Sequence, residues 1–87
     1  MNYFVYLLIN SNRDKHITYA GYTKDIKNRL KLHNSSKGAK FTRGRKWQII
    51  YKKKYKSKSS AMKNENKLKK DTKFRNKIKQ KFLKKKN

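Results

Sequence analysis

Five side chains in this sequence carry groups that, brought together, could break a phosphodiester: Tyr6, Tyr19, Arg29, His33 and Glu65. Glu65 is the sole glutamate in 87 residues and sits in the stretch AMKNENKLKK. It follows Ala61 by four residues and Met62 by three, and precedes Leu68 by three, so a helix would put it on the apolar stripe. A carboxylate in that place requires a cation. Lys69, one helical turn on, would serve as an ordinary ion-pair partner. A single Mg²⁺ would serve too, because one or two carboxylates hold it and it keeps several waters. Such an ion polarises a phosphate oxygen and stabilises a leaving alkoxide. Arg29 offers a planar fork for charge growing on the phosphoryl oxygens. Tyr6, Tyr19 or His33 could take the proton of an attacking water. A tyrosine in that role needs a lowered pKa, which a field of Lys and Arg would favour.

Each of these residues also has a plainer reading. Tyr6 and Tyr19 could be a cross-strand aromatic pair in a core. Arg29 and His33, one turn apart, could belong to a solvated basic face.

Composition narrows the choice. The chain has 28 Lys and Arg against 4 acids, a formal charge of +24. A field of that size attracts polyanions, nucleic acid first among them. A plainer reading is that A- and T-rich codon usage would by itself produce 23 Lys against 5 Arg with frequent Asn. Without cysteine there is no disulfide, no thiolate zinc site and no cysteine nucleophile. Two histidines and four acids argue against a closed structural metal cage. No apolar run reaches the length of a membrane span. The N-terminal MNYFVYLLIN lacks the marks of a signal peptide, so the expected compartment is the cytoplasm, at the nucleoid.

The elements that must position these groups can be read in order. YFVYLLI, residues 3–9, is apolar throughout and predicts a strand buried on both faces. NSNRDK, residues 10–15, is turn chemistry, and ITYAGYT, residues 17–23, predicts a hairpin partner. A turn at Asn12–Arg13 would set Tyr6 opposite Tyr19, and Gly21 suggests a bulge or a close backbone approach. Thr23 is expected to cap a helix over residues 24–34, with Ile26 and Leu30 on its apolar face. The basic loop SSKGAKFTRGRK, residues 35–46, precedes a third strand, WQIIYKKKY. A second helix opens at Ser57–Ser60, with Ala61, Met62 and Leu68 inward. A third, from about residue 73, spaces Phe74, Ile78 and Phe82 by four. One domain over residues 1–83 is expected, followed by a frayed basic tail at 84–87. The order ββαβαα predicts an α+β fold, a small three-stranded antiparallel sheet flanked by helices on both sides.

The ordered set YFVYLL, TYAGYTKDIKNRLKLHN, KGAKFTRGRKW and SAMKNENKLKK resembles the GIY-YIG nuclease superfamily from Tyr3 to Asp71. It looks most like the small stand-alone bacterial members. Phe4-Val5-Tyr6 stands where the family has Gly-Ile-Tyr, and Tyr19-Ala20-Gly21 where it has Tyr-Ile-Gly. By the same resemblance Arg29 matches the catalytic arginine, His33 and Asn34 the His-Asn closing that helix, and Glu65 the metal-binding glutamate. The resemblance implies a Mg²⁺- or Mn²⁺-dependent endonuclease acting on DNA. Phe41 stands where relatives commonly have tyrosine, which removes any hydroxyl role there. No separate DNA-recognition domain is evident, so structure-selective or weakly specific cutting is implied, in repair or recombination, with a protein partner supplying targeting.

In the basic loop, Lys37, Lys40, Arg43 and Arg45 are the expected phosphate contacts. With about five phosphates contacted by the protein in all, the log–log salt slope would be about −4 to −5. Two other readings stand beside the enzyme. One is a basic nucleic-acid-binding module, for DNA or RNA, with an idle site. The other is a membrane-surface helix built on Phe74, Ile78 and Phe82, but that helix is expected to dock on the sheet, so no membrane partner is expected.

Overall fold

The computed structural model describes residues 2–12, 15–35, 37 and 46–86. Six elements follow one another: β1 (Tyr3–Asn12), β2 (Lys15–Thr23), α1 (Ile26–Asn34), β3 (Gln48–Tyr55), α2 (Lys58–Lys70) and α3 (Thr72–Lys86). The expected ββαβαα order and α+β class are what the chain adopts.

The sheet runs β2-β1-β3, and both pairings are antiparallel. That order explains the unbroken apolar run of β1. As the central strand it is covered on both faces, and Val5 to Asn10 are all buried. Its side chains alternate between two cores. Val5 and Leu7 join Ala20 with Ala61 and Leu68 of α2, and Ile78 of α3 packs against them. Tyr6 and Leu8 join Trp47, with Tyr19 and with Ile26 and Leu30 of α1. So α1 covers one face, and α2 and α3 cover the other.

The hairpin register differs from the expected one. Tyr6 pairs with Gly21, and Tyr19 with Leu8, because pairing continues out to Asn12↔Lys15. The shift is two residues, and side chains alternate with period two, so Tyr6 and Tyr19 still share a face. Gly21 permits this register. A Cβ there would lie 2.6 Å from Cζ of Tyr6 and closer still to its hydroxyl. The glycine is thus a close approach and not a bulge. The irregularity of the sheet lies elsewhere, between Leu7 and Leu8 where they pair with β3.

Several element ends also move. Asp25, not Thr23, caps α1, its side chain accepting from Asn28 N. Thr23 is buried at the end of β2, and its hydroxyl accepts from Asp25 N at 3.2 Å. Trp47 is buried just ahead of β3 and is not part of it. Ser57 caps α2 as the serine-rich start suggests. Met62 is 47% exposed and not inward. Asp71 ends α2, and its carboxylate accepts from Phe74 N, so α3 follows without a linker. α3 continues to Lys86, past residue 83 where the sequence suggests a frayed tail.

The space above Gly21 generates a test. Gly21→Ala forces the Tyr6 ring to move, at about 1–3 kcal/mol for overpacking. Thermal melts should show a Tm lower by roughly 4–8 °C per kcal/mol for a domain of this size. The loss should shrink when Tyr6→Val is added. A Gly21→Ala protein as stable as the parent would contradict this packing.

Candidate active site

The sequence of β1 and β2 aims two phenols at one face, and α1 lays two further groups over it. Within α1, Arg29 and His33 are four residues apart and so point the same way. His33 is not on a solvated face, since only 1% of it is exposed. Its Nε2 lies 2.9 Å from the Tyr6 hydroxyl. The Tyr19 ring packs against the same imidazole, with centroids 5.2 Å apart, and touches Trp47 on its other side.

Glu65 comes from the opposite face of the sheet, on α2. It meets the others at the edge strand, where a cleft of about 510 Å³ is lined by Tyr6, Tyr19, Gly21, Arg29 and Glu65. The edge position matters, because a cleft along residues 21–23 can be reached from both faces. All the predicted catalytic residues except His33 line it, and His33 stands behind Tyr6.

The electrostatics of the site come from burial. Burial raises the Tyr6 phenol far above its ordinary 10.0; Tyr19 and Glu65 push the same way and Arg29 opposes them. Tyr6 is therefore not a tyrosinate activated by the basic surroundings. Desolvation outweighs the field of cations. Burial also lowers His33 below its ordinary 6.5, and the Arg29 charge adds to that. At neutral pH the pair is a protonated phenol beside a neutral imidazole.

Arg29 Nε is buried and has no hydrogen-bond partner among the described residues. Leaving a buried guanidinium N–H unmatched costs stability unless something else satisfies it, and an anion in the cleft would. Glu65 has 18% of its side chain exposed and lies 3.6 Å from Lys69 Nζ. The lysine partner foreseen for it is present, yet the carboxylate still faces the cleft. Lys69 is half-exposed, and an i,i+4 pair of that kind is worth only about 0.3–0.5 kcal/mol, so an entering cation could displace it.

Glu65 is the residue that would hold a metal ion. No group of three His, Cys, Asp or Glu side chains forms a cage among the described residues. One carboxylate in an open cleft suits Mg²⁺ or Mn²⁺ completed by water and phosphate oxygens, and does not suit a structural zinc.

The expected phosphate contacts are placed unequally. Lys37 is exposed just beyond α1, its backbone N–H donating to Leu32 O at 2.8 Å. Lys40, Arg43 and Arg45 lie outside the described residues. The ends of that loop are held from inside the fold. Asn34 accepts from Trp47 N at 2.6 Å and donates to Trp47 O at 3.2 Å, and Asn10 donates to Lys46 O at 2.7 Å. Asn34 thus braces the site, a role no periodicity reveals. Lys24, Asp25 and Lys58 also line the cleft. Nothing in the sequence separates these two lysines from the other 21.

The buried neutral histidine predicts a pH dependence of stability. In the unfolded chain His33 titrates near 6.5, and in the fold it titrates lower. As pH falls through 6.5 the unfolded state takes up protons first, so stability declines. Melting temperatures between pH 7.5 and 5 should fall for the parent and fall less for His33→Gln. Equal slopes would show that His33 is not held neutral.

The chain is similar to known proteins. The GIY-YIG catalytic domain family matches residues 2–79. A UPF0213 protein of Oceanobacillus iheyensis is 41% identical over 73 residues, covering 83% of this chain and 81% of that protein. One from Streptococcus agalactiae is 48% identical over 48 residues, about half (54%) of each chain. The solution structure of a UPF0213 protein from Bacillus halodurans is 36% identical, with a TM-score of 0.47 over 97% of this chain and 86% of that one. With the family match extending over nearly its whole length, this chain belongs to the GIY-YIG family.

Proposed function

We propose that the protein is a metal-dependent endonuclease that hydrolyses phosphodiesters in DNA. The family is one of endonucleases. The observation that carries the reading here is the buried Tyr6–His33 hydrogen bond at the wall of a cleft that also holds Arg29, whose Nε has no partner among the described residues, and an inward Glu65.

In this reading the Tyr6 hydroxyl donates to the neutral His33 Nε2. An attacking water gives its proton to the Tyr6 oxygen as the phenol's own proton passes to His33. The phenol therefore never has to ionise by itself, which its raised pKa forbids. The water oxygen bonds to phosphorus, and the bond from phosphorus to the leaving oxygen breaks. The Arg29 guanidinium, its Nε already buried, meets the charge growing on the phosphoryl oxygens. Mg²⁺ or Mn²⁺ held by Glu65 would polarise a phosphate oxygen and stabilise the leaving alkoxide.

The charge of +24 gathers the polyanion, while the small cleft reads little of its sequence. We therefore assign structure-selective or weakly specific cutting, at the nucleoid, in repair or recombination, with a partner protein to direct it.

The test is cleavage of flapped, branched, single-stranded and duplex oligonucleotides with Mg²⁺ or Mn²⁺. Parent protein should cut, and chelation should stop it. Arg29→Ala should lose about 10²–10³ in rate. His33→Gln should lose about 10²–10⁴. Glu65→Ala should abolish metal-stimulated cutting. Equal trace activity in parent and Glu65→Ala would overturn the reading. Tight, salt-sensitive binding without cleavage would leave a binding module.

A further inference from the structure

The sheet face that carries Tyr6 also carries Phe4, Lys52 and Lys54, which neither core nor cleft accounts for. Phe4 precedes Tyr6 by two residues and so shares its face. It is only partly buried and belongs to neither apolar cluster. Its cross-strand neighbours are Thr23 on β2 and Lys54 on β3, and Lys52 stands directly opposite Tyr6. Both lysines are exposed, and neither is in an ion pair among the described residues. Lys53, between them, points to the other face and lies 5.8 Å from the Tyr55 ring centroid. Strand geometry sets Lys52 and Lys54 about 6.6 Å apart, side by side with an aromatic ring.

That combination selects a ligand with both an exposed π-face and a repeating negative charge. A duplex keeps its base faces inside the stack. An unpaired strand can lay a base on an aromatic side chain of a sheet, with lysines on its phosphates. A flat protein partner would supply apolar groups but no matching row of negative charge.

We propose that Phe4, Lys52 and Lys54 form a platform for an unpaired segment of DNA beside the cleft, Phe4 stacking a base and the two lysines holding its phosphates. The place of that segment next to the scissile phosphate rests on the nuclease reading of the cleft. The binding itself does not. It makes single-stranded flaps and gaps the preferred class of substrate.

The test is binding in EDTA, where nothing is cut, followed by fluorescence anisotropy. The probes are a thymidine dodecamer, an abasic strand of the same length, and a blunt duplex. Parent protein should prefer the thymidine strand over the abasic one by roughly tenfold, the range of one or two stacked bases. Phe4→Leu should erase that preference and Phe4→Trp should keep it, while duplex affinity changes less than twofold. The preference is a ratio within one variant, so a smaller folded fraction does not distort it. Lys52→Ala and Lys54→Ala should each lower the salt slope by about 0.7. A parent protein that binds both strands equally overturns the proposal without any variant. A base preference that survives Phe4→Leu overturns it as well. Failure of cleavage alone leaves these ratios untouched, and loss of the ratio leaves the cleft chemistry standing.

Discussion

The hydrogen bond between the Tyr6 hydroxyl and His33 Nε2, 2.9 Å long and buried, is the interaction on which the rest depends. It joins the central strand to the helix on its front face. Burying a phenol and an imidazole without partners would cost each its hydration, and here each satisfies the other. The same burial raises one pKa and lowers the other. Structure and chemistry are therefore set by one cause. A protonated phenol beside a neutral imidazole can accept a proton from water only by passing its own along.

Everything around the pair serves its placement. Gly21 leaves room for the Tyr6 ring against β2. Asp25 starts α1 where Arg29 and His33 face the sheet, and Asn34 anchors the end of that helix to the Trp47 backbone. Glu65 arrives from α2, a helix on the other face, and meets the group at the sheet edge. A fold with a covered edge there would keep the carboxylate from the phenols. The open three-stranded sheet is what allows a carboxylate and a phenol from opposite faces to share one cleft.

Much of this was legible in the sequence, and the reasons differ by residue. The unbroken apolar run of β1 announced a strand covered on both faces, because only such a strand needs one. The inward position of Glu65 followed from helical periodicity. The two-residue error in hairpin register did no harm, since the period of a strand kept both tyrosines on one face. The error about tyrosine activation has another origin. Counting cations predicts a lowered pKa, but burial decides it, and burial of a single hydroxyl is not visible in composition. For the same reason His33 looked like part of a basic stripe when it is a core residue. The clamp of Asn34 on the Trp47 backbone and the place of Lys58 in the cleft were missed, because a tertiary contact and one cleft lysine among 23 leave no local mark.

The central claim is the direction of the proton in the Tyr6–His33 bond. It can be read from the imidazole ¹⁵N chemical shifts of His33 in the folded protein at pH 7. The account predicts one bare nitrogen at Nε2, accepting from the phenol, and a proton on Nδ1 alone. A proton on Nε2, in either the other tautomer or the imidazolium, would contradict it.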